Sequence, residues 1–114
     1  MKRAQFKHGP SGKAIEVWLA NTPWLRLRGL LGRPPLGEQE AMLINRCGSV
    51  HTCWMGYALD LVFLDRELRV LKVTEQLRPW RSASCMGAFQ VMELAPGAVA
   101  AMQVRVGDNF QWIE

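Results

Sequence analysis

The run Leu59-Asp60-Leu61-Val62-Phe63-Leu64 constrains what this chain can fold into more than any other stretch. It is almost continuously apolar, too short for a buried helix, and followed by the polar Asp65-Arg66-Glu67. Such a run reads as a strand covered on both faces. A chain built around it needs strands on either side and a layer over each face. Immediately before it lies a segment of different character, His51-Thr52-Cys53-Trp54-Met55-Gly56-Tyr57, rich in reactive and aromatic side chains. Candidate chemistry therefore sits within a few residues of candidate core.

The flanking segments supply the partners. Ile15, Val17 and Leu19 alternate with Glu16 and Trp18, which predicts a half-buried strand over 14–20 whose second face Trp18 partly covers. Thr22 can cap a helix whose first residue is Pro23, and Trp24, Leu27, Leu30 and Leu31 make its apolar stripe. Gly32 is expected to end that helix, and Pro34-Pro35 to keep it from resuming. Ala41–Asn45 reads as a short buried strand, 46–49 as a loop, and 50–56 as irregular chain or one tight helical turn. Asp65–Leu68 suits a hairpin connection into an alternating strand over 69–75. Pro79 makes 77–82 a loop, 88–94 reads as a strand, and 96–102 as an Ala-rich helix. Glu93, between Met92 and Leu94, is expected to turn outward or toward an arginine. A Gly107-Asp108 turn leads into the last strand, 109–113.

The fold expected is α+β and mostly β: a small single-domain curved sheet or partly open barrel of about six strands with two short helices. The 114 residues, 49% of them hydrophobic, suffice for one domain with a core that needs no disulfide. Residues 1–13 are polar and basic around Gly9-Pro10-Ser11-Gly12, and read as a flexible lead-in to a domain over 14–114.

Composition excludes several function classes. No apolar run reaches the roughly 18 residues of a membrane span, and the basic N-terminus has no apolar segment behind it, so the default location is the cytoplasm. The net charge of +4 comes from basic residues spread along the chain, which reads as a solvated mixed surface. A nucleic-acid face using the arginines with Trp24, Trp54 and Trp80 stays open as an alternative. The three cysteines cannot all pair within the chain, and Cys47-x5-Cys53 is not a zinc-chelating spacing, so no metal and no cofactor is called for.

The ordered set Arg28-Gly29-Leu30-Leu31-Gly32-Arg33, Met42-Leu43-Ile44, Trp54-Met55 and Leu59–Asp65 resembles the DUF192 (UPF0127) family of uncharacterised proteins. Pro79, Val91-Met92-Glu93-Leu94-Ala95-Pro96-Gly97 and Gly107-Asp108 continue the pattern in order. The resemblance implies a compact, mostly β domain of bacteria and archaea and brings no activity with it. Ala58 departs from the proline usual before the Leu-Asp pair, and Gly56 departs at the position after Trp-Met. Cys47, His51 and Cys85 lie outside the general pattern, so a site built on them would belong to a subgroup.

The candidate ligand-contacting residues are Cys47, His51, Cys53, Trp54, Met55, Asp60 and Cys85. His51 carries an imidazole that could act as base or ligand and has two cysteines close in sequence, but no complete catalytic set is visible. Asp60, at the start of the central strand, must be paired, and is expected to clamp the 48–56 loop or to meet Arg28 or Arg33. The function expected is a monomeric, non-enzymatic module binding a small molecule or peptide near 47–57. A Cys/His-dependent enzyme or a metal site at His51 is the alternative.

Overall fold

The computed structural model describes residues 1–113; Glu114, the last residue of the expected domain, lies outside them. In chain order the elements are β1 (Lys2–His8), β2 (Ala14–Ala20), α1 (Pro23–Arg28), β3 (Glu40–Asn45), β4 (Ser49–His51) and β5 (Leu59–Leu64). They continue with β6 (Val70–Leu77), β7 (Ser82–Ser84), β8 (Gln90–Leu94), α2 (Ala98–Met102) and β9 (Phe110–Ile113). The seven-stranded sheet runs β6-β5-β8-β3-β2-β1-β9, and β4 pairs with β7 in a separate ribbon. All pairs are antiparallel except β2 with β3, the two strands that α1 connects.

The sheet curls into a half-barrel whose two edges meet at one end. Arg69 bridges Asn109, Val70 N–H donates to the Asp108 carbonyl at 2.8 Å, and Phe110 N–H donates to the Leu68 carbonyl at 3.0 Å. Strand β5 is buried along its whole length, as its composition requires, and alternation divides its side chains between two cores. Val62 and Leu64 point into the barrel with Phe6, Val17, Leu43, Met92 and Phe110, beneath α2. Leu59, Leu61 and Phe63 point to the outer face with Met42, Ile44 and Val91, covered by Leu30 and by Val50 of the ribbon.

Six strands and two helices fall where the sequence places them, and three strands do not. Residues 2–8, expected as part of a flexible lead-in, form β1 between β2 and β9. Phe6 and His8 are fully buried there, and the His8 ring bonds Ser11 Oγ at 2.7 Å and Asp108 Oδ2 at 2.8 Å. The short β4 and β7 lie in segments expected to be irregular, and they cover a face of the sheet without joining it. Helix α1 begins as expected, with Thr22 Oγ1 accepting from Leu25 N–H at 3.2 Å, but it ends at Gly29 and not at Gly32. Of its expected apolar stripe only Leu30 is buried, while Trp24, Leu27 and Leu31 are exposed.

Candidate functional site

Between α1 and β4, on the outer face of the sheet, the fold leaves a small cleft floored by β8. One wall follows from the abrupt end of α1. Gly29 has φ 52° and ψ −127°, a conformation that favours glycine. Its backbone comes close to the sheet: a Cβ added at this position would stand 3.5 Å from Glu93 Oε1 and 3.6 Å from Ile44 Cδ1.

The opposite wall hangs from Thr52, which is wholly buried. Its N–H donates to the Arg81 carbonyl at 2.8 Å, and its hydroxyl donates to the Arg78 carbonyl and accepts from Arg81 N–H at 2.9 Å. Its carbonyl accepts from Trp80 N–H at 3.1 Å and Met55 N–H at 3.2 Å. These bonds tie the turn over 52–55 to the loop over 78–81. They also set the Trp54 and Trp80 rings edge to face, with centroids 4.7 Å apart. Trp54 and Trp80 adopt φ of 67° and 62°, unusual for bulky side chains, and the Trp54 ring is 74% exposed.

The cleft has a volume of about 90 Å³. Leu27 of α1 and Leu31 just beyond it line one side, Cys47, His51, Cys53 and Met55 the other, and Arg26 and Arg28 are also in the lining. Glu93, at its floor, is only 4% exposed. Among the described residues Glu93 Oε1 has no hydrogen-bond partner. The register sets Met42 and Leu61 on either side of Glu93, so the neighbouring strands supply no donor. The Gly29 N–H is committed to the Leu25 carbonyl at 2.9 Å. Burial pushes the Glu93 carboxyl up to about 7 from an ordinary value of 4.5. Burial, and after it the negative charge of Glu93, also holds the Tyr57 phenol above its usual range.

The expected site residues divide around this cleft. Cys47, His51, Cys53 and Met55 line it, and Trp54 follows Cys53 in the exposed turn. The Cys47 thiol donates to the Ser49 carbonyl at 3.0 Å. Cys85 is not among the cleft residues and points its sulfur toward the Met86 carbonyl. All three cysteines are free and half-buried, and no group of three or more His, Cys, Asp or Glu among the described residues could hold a metal ion. The three thiols and His51 therefore do not form a ligand set.

Asp60 corrects the expectation most sharply. It is wholly buried but faces the barrel interior, across the sheet from the cleft. Its Oδ1 accepts from Gln76 N–H at 2.8 Å, and its Oδ2 accepts from Gly97 N–H at 3.0 Å and Val99 N–H at 2.9 Å. It clamps α2 and β6, and neither the 48–56 loop nor an arginine. Glu93, in contrast, was expected to point outward or toward an arginine, and it is the buried carboxyl that enters the cleft. A signal for it existed: Val91-Met92-Glu93-Leu94 is apolar on both sides of the glutamate, as expected of a strand with two covered faces.

The comparisons with known proteins agree with this architecture. The family model DUF192, described as Uncharacterized ACR, matches residues 4–112. A UPF0127 protein of Pyrococcus furiosus is 34% identical over 104 residues, covering 86% of this chain and 87% of that protein. A UPF0127 protein of Thermococcus sibiricus is 27% identical over 101 residues, covering 84% of this chain and 65% of that protein. The crystal structure of a protein of unknown function from Novosphingobium aromaticivorans has the same fold, with a TM-score of 0.83 at 24% identity. That match covers 96% of this chain and 84% of the other.

Proposed function

The chain belongs to the DUF192 family, whose name assigns no activity, and we propose from the cleft itself that it is a non-enzymatic binding module. The observation that carries this reading is the partnerless Glu93 Oε1 at the cleft floor. Leaving a buried polar atom unsatisfied costs about 1–3 kcal/mol, and a ligand that supplies the missing donor recovers that cost. At about 90 Å³ the cleft is far below the roughly 300 Å³ at which sites for drug-sized ligands begin. It suits a small molecule, or one end of an extended peptide whose remainder lies over the exposed Leu27 and Trp54. No helix of the described residues is long and apolar enough to cross a membrane. A cytoplasmic monomer with reduced thiols belongs to the same reading, supported by three unpaired cysteines.

The test is a backbone-amide NMR screen of the full chain against a panel of small polar compounds and tripeptides. The expected result is a joint shift of amides in 26–31, 47–53 and 93 by the compounds that bind. Binding that moves only amides elsewhere, or no binding across the panel, overturns the location. The alternative, a Cys/His enzyme, rests on Cys53 and His51 sharing the cleft. It requires Cys53 to alkylate with iodoacetamide much faster than Cys85, with a rate that falls in His51→Ala.

A further inference from the structure

The polar groups of the cleft differ between floor and flank. The floor is a lone carboxyl with apolar strand neighbours, and the end of α1 that meets it is the carbonyl end, whose Gly29 N–H is already used. Apart from the proton that burial keeps on the carboxyl near neutrality, nothing there donates. The flanks carry Arg26 and Arg28. Arg28 Nε donates to the Leu31 carbonyl at 3.1 Å, and Arg26 Nη1 donates to the Asn21 carbonyl and to Asn45 Oδ1. A guanidinium has five N–H donors, so both arginines keep donors to spare. A purely anionic ligand would reach the arginines but set its charge above the Glu93 carboxyl. A purely cationic one would satisfy Glu93 but share the cleft lining with two guanidinium groups.

We infer that the cleft takes a small zwitterion, its ammonium at Glu93 and its anionic group against Arg26 and Arg28. The inference rests on the binding-module reading and names the ligand class for that same site. The volume limits the class, since about 90 Å³ lies well under the roughly 300 Å³ at which drug-sized sites begin. A compound of amino-acid size therefore fits, and a nucleotide does not. The ammonium gives the orphaned Oε1 a charge-assisted donor, among the stronger hydrogen bonds available to a carboxylate. It also favours the ionised form of Glu93, so binding releases the proton that burial keeps on that carboxyl near neutrality. The other titratable groups lining the cleft with Glu93 are Arg26 and Arg28 from α1, His51 from β4, and Cys47 and Cys53 from the loops, and Tyr57 lies near enough to feel its charge.

The experiment is a set of NMR titrations of the full chain at constant ionic strength with L-alanine, propionate, ethylammonium and propionamide. Propionate lacks the ammonium, ethylammonium lacks the carboxylate, and propionamide carries neither charge. L-alanine is expected to bind at least about tenfold more tightly than any of the other three, the effect of one hydrogen bond to a charged group. Glu93→Gln should remove that advantage and leave propionate affinity unchanged or improved. Arg26→Gln with Arg28→Gln should weaken both carboxylates and leave ethylammonium unchanged or improved. The alanine affinity should rise from pH 6 to pH 8. If propionate or propionamide equals L-alanine while the cleft amides shift, the zwitterion inference fails and the binding module stands. If none of the four moves those amides, the inference fails, and the wider compound panel decides the module.

Discussion

Asp60 and Glu93 are buried carboxyls on adjacent strands, yet their side chains leave the sheet on opposite faces and meet opposite fates. Asp60 collects three backbone donors, while Glu93 Oε1 collects none. The difference has a thermodynamic signature in the pH dependence of stability. Because burial raises the folded value for Glu93 from 4.5 to about 7, the folded protein binds more protons than the unfolded chain between those values. The stability contributed by the neutral carboxyl is fully present below pH 4.5 and is lost as pH rises through about 7. The displacement corresponds to about 3 kcal/mol, a large share of a small domain's stability. Glu93→Gln keeps the shape without the ionisation. Urea denaturation should therefore find it close to the wild type at pH 4.5 and more stable at pH 8.5, by up to about 3 kcal/mol. Equal stability of the two proteins at pH 8.5 would mean that Glu93 is solvated or paired in solution.

At the scale of elements, α2 depends on a residue that is not its own. Its N-cap is Gly97, at φ 91°, which has no side chain to cap with, and Asp60 reaches across from β5 to accept from Gly97 and Val99. The same carboxylate holds Gln76, at φ 51°, where β6 carries an extra residue opposite β5. Asp60→Asn places an NH2 where a carboxylate oxygen accepted. It should cost about 2–4 kcal/mol and speed hydrogen exchange at Gly97 and Val99 before the central strands open. Unchanged exchange at those amides would remove Asp60 as the cap. The carboxylate's need for partners was legible in Asp60 from its apolar surroundings, but the partners were not, because Gly97 and Val99 come from a distant turn with no local mark of the contact. The strands 14–20 and 59–64 were legible because pattern and burial coincide. The ribbon of β4 and β7 was not, since Ser49–His51 and Ser82–Ser84 are too short for alternation to register. The exposed stripe of α1 misled for a related reason: periodicity reports that a helix has an apolar side, and only the tertiary placement decides whether that side is covered.

The whole molecule is a curled sheet that depends on its N-terminal strand. Strand β1 joins β2 to β9, and the Arg69–Asn109 bridge just before β9 ties that side of the sheet to its far edge. Its sequence does alternate, with Ala4, Phe6 and His8 against Arg3, Gln5 and Lys7, but histidine is not counted as apolar and so the pattern is lost. What buries His8 is Asp108, 100 residues away, beyond the range of any local reading. Burial works against the Asp108 charge, but the hydrogen bond from His8 and that from Arg105 N–H outweigh it, and the carboxyl is held below its ordinary value of 3.8. The stability gained from that ionised carboxylate is present above pH 3.8 and is lost as pH falls through the lower folded value. Asp108→Asn should accordingly lower the melting temperature at pH 7 by about 5 °C, the equivalent of about one hydrogen bond in a domain of this size. The gap between variant and wild type should narrow as pH is taken from 4 toward 2, because the wild-type carboxyl then protonates as well. Calorimetry across that range tests the closure of the sheet directly. A flexible lead-in would leave only the loss of the Arg105 N–H bond, and His8→Ala would then not shift the melting curve. A clamped β1 instead makes both variants less stable where Asp108 is charged.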